Sequence, residues 1–220
     1  MKKTSIIILL AVLVFGCNRA PENILIIGDS ISIGYTPHVI EALDGKARVV
    51  HNEGNAGNTG MGLDNIHSWL GDEKWDIITF NWGLWDLCYR HPASKVQGKK
   101  DKINGTLTFS PEEYKNNLDS LVRILKTTGA QLMFVTTTCV PDGEPGRFQG
   151  DERIYNSAAL ELMSRHDIQV IDLNKYSYAI HSEFGKGEND VHYTEEGYKK
   201  LANVIVSAIT GDTAGSYTPK

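Results

Sequence analysis

The sequence predicts an α/β fold: a five-stranded parallel sheet with helices on both faces. Three observations predict it. Strand-like and helix-like segments alternate five times, the pattern produced by right-handed crossovers between parallel strands. The first strand, Ile24 to Ile27, is apolar at every position, as a strand covered on both faces must be. Polar, glycine-rich clusters follow the C-terminal ends of successive strands, the edge at which open α/β sheets bind ligands.

The N-terminus stands apart from this fold. Lys2 and Lys3, the apolar run Ile6 to Phe15 and Gly16 before Cys17 form a secretory signal pattern over residues 1–16. The apolar run is much shorter than the roughly 20 residues that span a bilayer. Val14-Phe15-Gly16-Cys17 resembles a bacterial lipoprotein cleavage site. That resemblance implies an acylated Cys17 as the first mature residue, a tether over 17–22, and a cell-envelope location in which lipid alone makes the membrane contact. One domain is expected over 23–211 and a disordered tail over 212–220. With Lys2 and Lys3 set aside, 20 basic residues face 27 acidic ones, a formal charge of −7. Such an acidic chain without a long basic stripe is not a nucleic-acid binder. Apart from Cys17 only Cys88 and Cys139 remain, too few for a disulfide framework or a zinc ribbon, although they could pair once in an oxidising envelope.

The elements follow in order. After Gly28-Asp29-Ser30 and a bend at Gly34-Tyr35, Thr36 reads as an N-cap and Pro37 as the first residue of a short helix to about Leu43. Ala47 to His51 is a second strand. Asn52 to Gly60 is a glycine and asparagine loop able to turn backbone N–H groups toward an anion, followed by a helix with Leu63, Ile66, Trp69 and Leu70 on one face. Its glycine spacing is not a dinucleotide fingerprint and no P-loop lysine follows, so nucleotide binding is discounted and no cofactor or metal is expected. Asp76 to Phe80 is the third strand, and a long polar segment runs from Asn81 to Thr108. Loops of that length inside a domain are functional or mobile. Its basic middle, Lys95 to Lys102, could contact an acidic substrate, although a solvated surface is the plainer expectation. Ser110-Pro111-Glu112-Glu113 forms a capping box ahead of a helix with Tyr114, Leu118, Leu121, Val122 and Leu125 on its apolar face, ended by Gly129. Then come a strand over Gln131 to Thr137, a glycine-rich loop over Asp142 to Gly150, a helix over Ile154 to His166 and a fifth strand over Ile168 to Leu173. A loop leads through Asn189-Asp190-Val191-His192 to a last helix capped by Thr194.

Gly28-Asp29-Ser30 alone is ordinary turn material. Its place at the end of a buried strand gives the hydroxyl a chemical reading. Ester hydrolysis needs a nucleophile, a base for its proton and donors for the developing oxyanion. Ser30 can supply the first, His192 the second, and the loop carrying Gly57 the third. A carboxylate beside His192 would fix its tautomer and stabilise the imidazolium; Asp190 is nearest in sequence, with Asp172 next. The Gly-x-Ser-x-Gly elbow of α/β-hydrolases is absent. His51 and His67 are not expected to be catalytic.

Taken together, Gly28-Asp29-Ser30, Asn52 to Thr59, Gly83-Leu84-Trp85-Asp86 and Asp190-Val191-His192 resemble the four blocks of the SGNH, or GDSL, hydrolases over nearly the whole mature chain. The resemblance implies a flavodoxin-like three-layer α/β/α sandwich and a metal-independent serine esterase. It also implies Ser30 as nucleophile, with the Ser30 and Gly57 amides in the oxyanion hole. Two positions depart from the pattern. Trp85 stands where the third block has an oxyanion-donating asparagine, and Asn189 stands where the last block has its aspartate, with Asp190 one residue nearer His192. Asn81 and the Trp85 indole N–H are the candidate replacement donors. Asp29, Trp85, Asp86 and Arg147 are further candidates for substrate contact; Trp82 and Trp85 would otherwise be packing residues, and Asp86 and Arg147 would otherwise be locally paired.

The resulting expectation is an envelope esterase acting on a small-molecule or glycan ester, with a carbohydrate O-acetyl esterase as the leading reading. Lysophospholipase or thioesterase activity is the enzymatic alternative. A glycan-binding lipoprotein with an impaired oxyanion hole is the non-enzymatic one.

Overall fold

The computed structural model describes residues 22–211. Cys17, the leader, most of the tether and the tail from residue 212 lie outside the described residues. Five parallel strands form one sheet in the order β2-β1-β3-β6-β7: β1 Glu22–Ile27, β2 Ala47–His51, β3 Ile77–Phe80, β6 Gln131–Val135 and β7 Gln169–Ile171. Register is parallel throughout, with Ile24 opposite both Val49 and Ile77, and Phe80 opposite Phe134. One helical layer is α1 (Ser30–Ala42), α5 (Leu173–Phe184) and α6 (Glu195–Thr210); the other is α2 (Thr59–Leu70), α3 (Pro111–Lys126) and α4 (Asp151–His166). This is the expected flavodoxin-like three-layer sandwich.

Ile24, Leu25, Ile26 and Ile27 of β1 are all buried, each contributing about 2 kcal/mol through burial. β1 lies between β2 and β3, so the chain leaves it toward one side of the sheet and later returns on the other. The crevice at that reversal is where such sheets bind ligands, and Ser30 sits at its mouth.

Several boundaries differ from the sequence expectation. No bend separates Ser30 from a helix at Thr36. Instead α1 begins at Ser30 itself, because the Asp29 side chain caps it by accepting from the Ile31 N–H at 2.9 Å. Pro37 therefore lies inside the helix. It and Ile33 are on the exposed face, where water can take the carbonyl that proline leaves free. Gly34 is no hinge: a Cβ there would fall 2.2 Å from the Tyr198 ring, so its absence lets α6 press against α1. The segment after β3 contains a small antiparallel ribbon, β4 (Tyr89–Arg90) with β5 (Thr106–Leu107). Helix α5 occupies chain expected to be loop, opened by Asp172 accepting from the Lys175 N–H. Cys88 and Cys139 are both free and buried, not paired. The Ser110 capping box on α3 is present in both directions.

Candidate active site

Ser30 is the first residue of α1, so its N–H is one of those a helix leaves without an internal acceptor, at the positive end of the helix dipole. The strand-to-helix turn is stitched to the loop after β2. Asn52 Oδ1 accepts from the Gly28 N–H at 2.9 Å, and the Ala56 N–H donates to the Gly28 carbonyl at 3.0 Å. From the far end of the chain, the segment before α6 is held by Lys186 N–H to the His192 carbonyl and Thr194 N–H to the Phe184 carbonyl. His181 Nε2–H donates to the Asp190 carbonyl at 2.7 Å.

These anchors bring the three expected residues into one chain. His192 Nε2 lies 2.8 Å from Ser30 Oγ, and His192 Nδ1 lies 2.5 Å from Asp190 Oδ1. The same carboxylate oxygen accepts the His192 backbone N–H at 3.0 Å, which fixes its direction. Burial pulls the Asp190 carboxyl upward, but the His192 amide and ring outweigh it and hold the group below the ordinary range. A carboxylate on Nδ1 leaves the proton there and the Nε2 lone pair toward the hydroxyl, the tautomer a general base requires. Asn189 is exposed, and Asp172 is spent on Thr136 and Lys175.

A second serine and imidazole meet nearby, Ser32 Oγ and His51 Nε2 at 2.7 Å. Ser32 is buried and lies 2.8 Å from the Asp29 carbonyl, so this pair has no access to substrate. Burial lowers the His51 pKa. His67 is exposed on α2.

Ser30 and His192 open on a cavity of about 370 Å³ whose wall includes Asn55, Leu84, Trp85 and Arg147. A broader depression of about 530 Å³ behind the Asp190 loop turns its polar groups inward, His181 to Asp190 and Ser182 to Ala179.

The expected oxyanion donors are rearranged. Asn81 does not face Ser30. Its amide nitrogen donates to the Val135 carbonyl at 2.7 Å and lies 3.4 Å from Thr137 Oγ1, and the chain turns at Gly83 instead of continuing extended. Gly83 has φ of 153°, and a Cβ there would meet Thr137 Oγ1 at 2.1 Å, so the turn depends on glycine. Gly57 also departs from expectation: its N–H donates to Asn55 Oδ1 at 2.9 Å. That bond settles which end of the Asn55 amide is oxygen and leaves Nδ2, with no hydrogen bond among the described residues, on the side chain that lines the Ser30 cavity. Asn55 was not singled out by sequence; the asparagine-rich loop was the available signal.

Of the proposed substrate contacts, Trp85 and Arg147 line the cavity. Arg147 is buried, with Nε donating to the Leu84 carbonyl at 2.5 Å and Nη1 to Glu144 at 2.6 Å, so it braces the wall. Asp29 also reaches the cavity but is occupied as the α1 cap. Asp86 is not a substrate contact. It is fully buried and accepts from the Thr59 N–H at 2.9 Å and hydroxyl at 2.5 Å, pinning the start of α2, and it does not pair with Arg147.

Burial pushes the Asp86 carboxyl up to about 7, beyond what the two Thr59 bonds can offset, and Oδ2 has no hydrogen-bond partner. Because the folded value exceeds the ordinary 3.8, the folded state binds the extra proton and stability falls as pH rises from about 4 to 7. Asp86→Asn retains an oxygen for the Thr59 N–H and removes the charge. Its urea midpoint should decline less between pH 5 and 8 than that of the unaltered protein. Parallel declines would show that Asp86 is not the group responsible.

Residues 26–200 match the GDSL-like lipase/acylhydrolase family. Among solved structures, the acetyl xylan esterase AlAXEase is similar with a TM-score of 0.68 at 16% identity, covering 85% of this chain and 99% of that one. A lipase/acylhydrolase from Enterococcus faecalis is similar with a TM-score of 0.68 at 20% identity, covering 90% and 98%. TesA gives 0.61 at 15% identity, covering 86% and 99%. At such identities the likeness is one of fold. No curated protein matches the sequence.

Proposed function

The chain belongs to the GDSL-like lipase/acylhydrolase family, and on that premise we propose that it is a serine esterase removing acetyl or similarly short acyl groups from a carbohydrate. The observation that carries the reading is the continuous Ser30–His192–Asp190 hydrogen-bonded chain opening on a cavity of about 370 Å³. Ser30 Oγ attacks the ester carbon while His192 Nε2 takes its proton. Asp190 holds the imidazolium that forms. The negative charge on the former carbonyl oxygen is met by the Ser30 N–H, at the positive end of α1, and by Asn55 Nδ2. Collapse expels the alcohol with the proton from His192, and water attacks the acyl-enzyme by the same route in reverse.

The short acyl group is inferred from a structural neighbour, an acetyl xylan esterase. The proposed setting is the cell envelope, through acylation of Cys17, which lies outside the described residues.

A fluorophosphonate probe should label the protein at Ser30 and fail to label Ser30→Ala. In a screen of acetylated saccharides against long-chain acyl esters, the acetyl esters should turn over at least about tenfold faster. An unlabelled protein would instead be a binding module on the same scaffold. Faster turnover of long-chain esters would make it a lipid or thioester hydrolase.

A further inference from the structure

The basic segment of the long excursion after β3 lies against the Ser30 cavity. The excursion is held at both ends of its ribbon. The Tyr89 N–H donates to the Gly146 carbonyl, the Lys102 N–H to the Pro145 carbonyl, the Lys102 ammonium to the Asp142 carbonyl and the His91 N–H to the Lys99 carbonyl. Arg90, Gln97, Gly98 and Lys100 therefore form part of the cavity wall. Across Trp85, Arg90 and Gly98 the cavity passes into a second basin of about 530 Å³, lined also by Asn58, His91, Lys99 and Thr108. The Arg90 guanidinium lies over the Trp85 ring, 4.6 Å from its centroid, and donates to the Gly98 carbonyl.

The charges facing this space do not cancel. Lys100 and Arg147 share Glu144 Oε1, at 2.8 and 2.6 Å. Asp190 is bound to His192, and Asp29 is occupied as the α1 cap. Arg90 and Lys99 have no carboxylate partner among the described residues. Lys99 is moreover held at φ of 56°, a backbone conformation unusual for a residue with a side chain, in the wall of the second basin. Two cations beside an aromatic ring, with the Asn58 amide nitrogen as a further donor, suit a ligand carrying a negative charge.

We propose that the second basin is an anion subsite for the alcohol part of the substrate, which is an acidic saccharide whose carboxylate is bound by Arg90 and Lys99. The inference rests on the esterase reading and narrows its substrate class. A phosphorylated lipid headgroup would offer a similar charge, and acetylated glycerol phosphate separates that source from the saccharide.

The test compares kcat/KM for an acetylated methyl galacturonide with that for its uncharged methyl ester. The acid should be preferred about tenfold, the effect of one well-placed charge-assisted contact. That ratio should fall to about one in the Arg90→Gln, Lys99→Gln double variant and shrink with added salt. A ratio near one in the unaltered protein, or one that survives the double substitution, overturns the subsite. Acetylated glycerol phosphate, if preferred over the galacturonide in an Arg90-dependent manner, overturns the saccharide assignment. Calorimetric binding of galacturonate against galactose needs no turnover, so it tests the subsite separately from the esterase. Charge-selective binding lost in the double variant supports it, and equal binding of the two sugars overturns it. Turnover of p-nitrophenyl acetate that is unaffected by Ser30→Ala would refute the esterase reading alone.

Discussion

Ser30→Ala and His192→Ala are each expected to lower turnover of an acetyl ester by about 10⁶-fold, and the double variant is expected to be scarcely worse than either. The reason is geometric. His192 Nε2 has one partner in the site, the Ser30 hydroxyl at 2.8 Å, and neither residue can carry the proton transfer without the other. Asp190→Asn should cost less, about 10⁴-fold, because the asparagine oxygen can still accept the His192 backbone N–H while the imidazolium loses its anion. Asn189→Ala should have little effect, since that side chain is exposed and takes no part in the hydrogen-bonded chain. All four single variants and the double variant should unfold near the midpoint of the unaltered protein. Steady-state kinetics with a chromogenic acetyl ester give the ranking. Ser30→Ala keeping a tenth of the activity, or Asn189→Ala falling below Asp190→Asn, would refute the assignment of nucleophile or acid.

The parts of this site that were legible in the sequence are those set by neighbours along the chain. Ser30 follows directly from the apolar run of β1, and Asp190 lies two residues from the imidazole it contacts. The sheet was legible for a similar reason, because β1, β3 and β6 are short apolar runs between polar loops. What sequence could not supply was the direction of side chains fixed by remote partners. Asn81 gives its amide to the Val135 carbonyl, 54 positions away, and strand alternation had aimed it at the site only on the assumption that the chain stays extended through Gly83. Helix α5 was hidden because Asp172 and Leu173 close an apolar strand pattern and also begin a helix. The ribbon of β4 and β5 has two residues in each strand, too few for any periodicity to register. Its basic residues were visible, but not that the ribbon folds them back over Ser30.

The asparagine missing from the third block raises the remaining question, which donor meets the oxyanion. Asn55 answers it with a specific pair of substitutions. In the present arrangement its Oδ1 accepts from the Gly57 N–H, which polarises the amide and presents Nδ2 as a strengthened donor. Asn55→Asp keeps the acceptor for Gly57 but replaces the donor with a negative charge beside the developing oxyanion. Asn55→Ala removes both. If Nδ2 is the donor, Asn55→Ala should lose about 10² to 10³ in kcat with little change in KM, and Asn55→Asp should lose at least as much. If instead the Gly57 amide is the true donor and Asn55 merely occupies it at rest, Asn55→Ala would free that N–H and retain activity, while Asn55→Asp alone would fall. Trp85→Phe supplies the third arm: it keeps an aromatic ring beneath the Arg90 guanidinium and removes the indole N–H together with one ring of the indole. A small effect there, together with a large loss in Asn55→Ala, assigns the role to Asn55. The opposite pair of results assigns it to Trp85.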